Sequence, residues 1–256
     1  MTKTGLRWGF VTDVGVVRRA NQDSGMANGS LFMVADGMGG HRGGEVASQI
    51  AADHFTTIEE VSSVEELRDA VVHANNKIRE VGSNDPELVG MGTTVVAMAV
   101  LPTSKGDETL RFAAANVGDS RLYLFENDEL AQVSEDHSLV AELEKAGQIT
   151  PEEAMVHPQR NVVTRALGPE ADVQVDTWEL DVRLEQRYLM CSDGLINEVD
   201  DDSICGALET FASPADAAQH LVQLANAAGG RDNITVLVLD VVPVEDVAPE
   251  DDTSEE

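Results

Sequence analysis

Seven stretches of this chain are apolar, β-branched or alternating and are bounded by Gly, Asn or Asp: residues 6–15, 30–36, 92–101, 110–118, 121–127, 186–193 and 233–242. Runs of this length and composition predict strands. Two other stretches repeat apolar residues at helical spacing. In residues 63–82, Leu67, Ala70, Val71, Ala74 and Ile78 share a face, Ser63 and Glu66 stand at capping-box spacing, and Gly82 supplies a stop. In residues 213–229, Ser213 is the cap, Pro214 opens the first turn and Gly229 ends the helix. The strands cluster instead of alternating strictly with helices, which predicts an α+β protein of antiparallel sheets with helices outside, not a doubly wound parallel sheet.

Residues 134–168 break this pattern. They hold one or two short helices, with Thr150, Pro151 and Glu153 giving a second capping box, and then a His-Pro-Gln-Arg loop. An insert of this kind between strands is a candidate lid over a site. The VDDDSI segment (199–204) reads as a helix cap or a surface turn. The predicted domain spans residues 5–243, and residues 244–256, with seven acids and no base, predict a disordered acidic tail.

Composition narrows the function classes. The longest apolar stretches, TTVVAMAVL and ITVLVLDVV, are about half of the ~20 residues a spanning helix needs, and the N-terminus lacks an apolar signal core. A cytoplasmic protein without membrane association is expected. The net charge is −30, and −23 remains on residues 1–243, so nucleic acid and anionic lipid are disfavoured as partners. Cys191 and Cys205 lie fourteen residues apart with no zinc spacing and read as reduced core thiols. A cysteine-nucleophile phosphatase wants Arg six positions after its Cys, where this chain has Asn197.

Candidate chemistry lies in carboxylates at strand ends. Asp36 ends the 30–36 run and opens a ten-residue stretch, Asp36 to Glu45, that contains five glycines. Asp119 follows AAANVG, Asp193 follows RYLMCS, and Asp232 precedes NITVLVL. Taken singly each is a turn residue, because Asp-Gly and Gly-Asp are common turn dipeptides. Brought together, two carboxylates about 4 Å apart repel by roughly 4 kcal/mol at an effective dielectric of about 20, so a convergent cluster needs cations. Oxygen-only ligands favour Mg²⁺ or Mn²⁺ over Zn²⁺, and glycine at 37 would let a backbone carbonyl approach an ion. The same glycines do not form a nucleotide cradle. Gly39 and Gly44 have P-loop spacing, but Glu45 and Val46 follow them, and Arg42 breaks GxGxxG.

Seven blocks then align with one family. VRRANQDS (17–24), VADGMGGHRGGEVAS (34–48), GMGTT (90–94), NVGDSR (116–121), HPQRNVVTRALG (157–168), CSDGL (191–195) and RDNIT (231–235) occur in the order seen in 2C-type metal-dependent serine/threonine protein phosphatases, particularly the bacterial ones. The resemblance covers practically the whole predicted domain. It implies a four-layer α-β-β-α sandwich and a binuclear Mg²⁺ or Mn²⁺ site at one end. By the same resemblance, Asp36 bridges the two ions, Asp193 and Asp232 complete the first, the Gly37 carbonyl serves the second, and Asp23 supports the second ion's waters. Asp119 with Asp193 matches a third, weaker site in bacterial members, and Arg18 matches the phosphate-binding arginine.

The implied reaction hydrolyses phosphoserine and phosphothreonine in proteins, a bacterial serine/threonine kinase among them, by in-line attack of a metal-bridging water or hydroxide with no phosphoenzyme. Two positions depart from the pattern. Gln22 stands where many relatives carry an acid, leaving the second ion less negative charge. Met38 stands where some eukaryotic members have His, and it cannot protonate the leaving oxygen; His41 is either a substitute or a loop histidine. Arg19, Arg42 and Arg160 either offset the acidic surface at the mouth of the site or are ordinary surface arginines. The insert at 134–168 argues against a phosphatase of sigma-factor antagonists, and the complete set Asp36, Asp119, Asp193 and Asp232 argues against a silent phosphoprotein-binding module.

Overall fold

The computed structural model describes residues 4–39, 42–103 and 109–244. His41 and nearly all of the predicted acidic tail lie outside the described residues. Eleven strands among them form two antiparallel sheets. The first has the order β1 (Thr4–Asp13), β11 (Ile234–Pro243), β10 (Arg187–Cys191), β7 (Arg121–Glu126), β8 (Glu129–Gln132). The second has the order β2 (Asp23–Ala27), β3 (Leu31–Met38), β5 (Val95–Leu101), β6 (Arg111–Val117), β9 (Asp176–Asp181), with the two-residue β4 (Gly92–Thr93) pairing the end of β3.

Side-chain alternation along the strands explains why the sequence runs are almost continuously apolar. On β3, Phe32 and Val34 face the other sheet while Leu31, Met33 and Ala35 face the helices; on β11, Leu237, Leu239 and Val241 face inward while Val236 and Val238 face outward. Both faces of each central strand are therefore buried, which removes the polar half of a half-exposed strand. Phe112 and Tyr188, from opposite sheets, meet edge to face with ring centroids 5.4 Å apart. On the outer faces, α1 (Gly43–Thr56) and α2 (Val64–Asn84) cover the second sheet, and α6 (Asp201–Thr210) and α7 (Pro214–Ala228) cover the first. The result is a four-layer α-β-β-α sandwich.

Several element limits differ from the sequence expectation. Helix α2 does not stop at Gly82; it continues to Asn84 and ends because Asp85 precedes Pro86 and takes an extended conformation. Its cap is a partial box, since Ser63 accepts the Glu66 N–H but the Glu66 carboxylate takes the N–H of Ser62. The box at Thr150 and Glu153 is fully reciprocal and opens α4 (Pro151–Met155), which with α3 (Leu139–Lys145) makes up the helical part of the 134–168 insert. Ser213, Pro214 and Gly229 occupy their expected places on α7, and Asp200 in VDDDSI caps α6. Strand β2 (DSGMA) lacks β-branched residues and forms by pairing with β3, while β8 and β9 are polar edge strands. Cys191 is a core thiol, but Cys205 lies half-buried on α6.

Candidate active site

Strand register brings the first two acids together. Asp23 opens β2 directly opposite Asp36 near the end of β3, and by alternation Asp36 continues the inward-facing series of Phe32 and Val34. The main chain of Asp36 is fixed from the GMGTT segment. Its N–H donates to Thr94 Oγ1 at 2.9 Å, and its carbonyl accepts from Thr93 Oγ1 and Thr94 N–H, each at 2.9 Å. Thr94 in turn shares a 2.7 Å hydrogen bond with Ser120, the neighbour of Asp119.

The first sheet holds the same cluster from the other side. Ser192 Oγ and Thr235 Oγ1 donate to Asp23 Oδ2 at 2.7 and 2.8 Å, so hydroxyls from the residue after β10 and from β11 clamp an acid of β2. Asp193 begins the short α5 (Asp193–Ile196) immediately after β10 and accepts from Asn197 at 3.0 Å. Its carboxyl group also hydrogen-bonds that of Asp36, so the two carboxyls share a proton. Asp232 precedes β11 and receives Arg18 Nη2 at 2.6 Å.

Asn233 ties these parts to the loop that carries Arg18. Its N–H donates to Asp232 Oδ1, its Oδ1 accepts from the N–H of Gln22 at 2.8 Å, and its Nδ2 donates to the carbonyls of Val14 and Ala20 at 2.9 and 3.0 Å. One buried amide thus brackets Arg18 on both sides. The root of the 134–168 insert holds the Asp119 turn similarly. His137 exchanges hydrogen bonds with Gly118 through both its ring and its main chain, and Asp136 grips Arg121 through both oxygens.

Asp23 and Asp119 are buried, whereas Asp36, Asp193 and Asp232 are half-buried, so the cluster opens on the side of the latter three. Loss of water drives the electrostatics. Burial pushes Asp23 up to about 7, with the Asp193 and Asp232 charges adding to it despite two hydroxyl donors. Burial also pushes Asp119 up to about 7, with the Asp193 and Asp136 charges adding to it. Asp36 lies well above its ordinary value through burial and the charges of Asp23, Asp193 and Asp119, and Asp193 is raised through burial and Asp232. Burial pushes the Cys191 thiol up to about 12, which leaves it protonated and unfit as a nucleophile.

The donor set suits hard divalent cations. Asp23 Oδ1 and Asp193 Oδ1 are buried without a hydrogen-bond partner, and five carboxyl groups share too few protein donors to hold their charge. As placed, no three acids, imidazoles or thiols among the described residues close around one point. Two of the oxygens needed are instead engaged by Arg18 and by the Asp36–Asp193 contact. Gly37 is required for a tighter reason than access to an ion: a Cβ there would lie 2.2 Å from the Gly44 carbonyl and 2.4 Å from that of Gln22, so β3, β2 and the start of α1 meet at this residue. Arg19, Arg42 and Arg160 are exposed, and no described side chain pairs with them.

The sequence reading missed the residues that hold the acids: Thr93, Thr94, Ser120, Ser192, Asn233 and Thr235. Each lies in one of the seven blocks beside an acid or its partner strand, which was the available signal.

The chain matches the family described as Protein phosphatase 2C over residues 10–234. It belongs to that family. This phosphatase is 40% identical over 244 residues to the serine/threonine phosphatase stp of Listeria welshimeri, an alignment covering 90% of this chain and 94% of the relative. It is 41% identical over 242 residues to the serine/threonine protein phosphatase PstP of Mycobacterium tuberculosis, covering 93% of this chain and 45% of PstP. Among solved structures, the catalytic domain of PstP in complex with two manganese ions superposes with a TM-score of 0.84 at 38% identity, covering 93% of this chain and 99% of that one. The protein is a metal-dependent serine/threonine protein phosphatase with the α+β sandwich of its relatives. No described helix is long and apolar enough to cross a membrane.

Proposed function

We propose that Asp36, Asp193 and Asp232 hold the first of two Mn²⁺ or Mg²⁺ ions and that Asp36 bridges it to the second, which the Gly37 carbonyl and Asp23 serve. Asp119 with Asp193 forms a third, weaker site. The observation that carries this reading is the pair of buried, unpartnered oxygens, Asp23 Oδ1 and Asp193 Oδ1, inside one group of five acids. Bound there, the ions supply Lewis acidity, lowering the pKa of water toward ~7 and neutralising phosphoryl charge.

Arg18 is the residue for the phosphoryl group. Its guanidinium is about half exposed and rests on Asp232, so it can exchange a carboxylate oxygen for phosphate oxygens with little rearrangement of the stapled loop. Asp23, held by Ser192 and Thr235 through one oxygen, leaves the other buried without a protein partner. Burial of Cys191, which pushes its thiol up to about 12, disfavours a cysteinyl-phosphate intermediate and fits transfer of the phosphoryl group to water. The 134–168 insert, rooted beside Asp119 through Asp136 and His137, is the natural cover over a bound phosphoprotein segment.

Phosphorylated proteins are the substrates, and a serine/threonine kinase that carries its phosphate on an exposed activation loop is one of them. The test is hydrolysis of p-nitrophenyl phosphate, a phosphothreonine peptide and an autophosphorylated kinase, with and without Mn²⁺, beside Asp36→Asn. Hydrolysis that persisted in excess chelator, or that survived Asp36→Asn, would overturn the assignment.

A further inference from the structure

Val16 and Val17 are 68% and 63% exposed, and they immediately precede Arg18. Isolated surface valines need no explanation. These two differ because their loop is held rigid. The N–H groups of Val16 and Val17 both donate to the Gly230 carbonyl, at 2.8 and 3.2 Å, and Asn233 holds the carbonyls of Val14 and Ala20. Gly15, at φ +78°, packs so closely on the same segment that a Cβ would stand 2.1 Å from the Asp232 carbonyl oxygen. The apolar pair is thus held on the loop that carries the Arg18–Asp232 contact with most of both side chains in water, so burying them against a bound segment would be favourable.

Local charge supports a substrate-facing role. Residues 14–22 carry two arginines and no acid in a chain of net charge −30, so the loop itself adds no carboxylate to repel a phosphate-bearing segment. Reach agrees as well. In an extended peptide, the residues one or two positions from the phosphorylated one lie about 3.3–7 Å away from it, comparable to the separation of Val16 and Val17 from Arg18 along the loop.

We infer that Val16 and Val17 form an apolar seat for an aliphatic side chain within two positions of the phosphorylated residue, so the enzyme selects phosphosites flanked by Ile, Leu or Val. This rests on Arg18 being the phosphate ligand. The experiment uses the full-length manganese-loaded protein and two phosphothreonine peptides, identical except for Ile or Ser at the flanking positions. Wild type should favour the Ile peptide in kcat/KM by about three- to tenfold, mainly through KM, the effect of partly burying one or two aliphatic side chains. Val16→Ser/Val17→Ser should erase that ratio while leaving the Ser peptide unchanged. No preference in wild type, a preference that survives the double variant, or an equal loss on both peptides would each overturn the seat. Arg18→Ala, assayed for inhibition by inorganic phosphate, tests the underlying reading separately: unchanged inhibition removes Arg18, whatever the valines do.

Discussion

Asp23 and Asp36 face each other directly across the β2–β3 ladder, two carboxyl groups on one inward face where opposite charges would ordinarily pair. Burial of the acid cluster they belong to, with the repulsion of its charges added, stores a pH dependence. Asp23 and Asp119 rise to about 7 in the folded protein from an ordinary 3.8, so the native state holds these protons more tightly than the unfolded chain does. The stabilisation is complete below the unfolded value and is lost as pH rises through about 7. In chelator, the Tm should therefore fall between about pH 5 and about pH 8. Saturating Mn²⁺ should reverse the trend, because cations and protons compete for the same oxygens. Calorimetry decides it, and a Tm in chelator that rises with pH would contradict the burial of these acids.

Asp36→Asn should separate activity from stability. Turnover should fall by at least about 10²–10³-fold, the scale of losing one preorganised charged group. In chelator the same variant should melt higher than wild type, since one member of a mutually repelling set has been neutralised. Paired kinetics and melting curves read both, and a lower Tm would show that Asp36 is tied into the fold more by its hydrogen bonds than it is strained by its neighbours.

Arg18→Ala should raise KM for phosphopeptides and weaken phosphate inhibition by about 10- to 100-fold, the range expected for one charged hydrogen-bonding group. Lys at this position should restore only part of the loss, because an ammonium cannot offer paired N–H donors to one phosphate. Steady-state kinetics with phosphate as inhibitor measures the effect.

Asn233→Asp keeps shape and removes both donors to Val14 and Ala20, setting a carboxylate against two carbonyls. A KM increase of about 5- to 100-fold is expected from unsatisfied buried polar groups. In an Arg18→Ala background most of that increase should vanish, because the loop no longer carries the group whose position matters. Additive losses would mean that Asn233 acts on the fold as a whole.

Elements whose identity is local were readable in the chain. Ser213, Pro214 and Gly229 delimit α7, and the Thr150 box opens α4, because each depends on neighbours within four residues. The acids were legible as strand-end charges, and the ordered blocks connected them to a family. Hidden were features that depend on distant chain. Strand β2 has no intrinsic strand signal and exists through β3. Helix α1 starts inside the glycine stretch, and its buried small residues, Gly44, Ala47, Ser48, Ala51 and Ala52, acquire their meaning only against β2 and β3. The partners of Asp23 lie 169 and 212 residues away in sequence, so neither hydroxyl announces its role locally.

The inter-sheet contact has a mechanical consequence. Asp23 and Asp36 ride on one sheet, Asp193 and Asp232 on the other, and Asp119 in the turn that crosses between them. The spacing of the acids is therefore gauged by the apolar slab of Phe32, Phe112, Tyr188 and Leu237, which works as a shim between two plates. Thinning that shim well away from the chemistry, as by Phe112→Leu, should detune the catalytic mouth before it unfolds the protein.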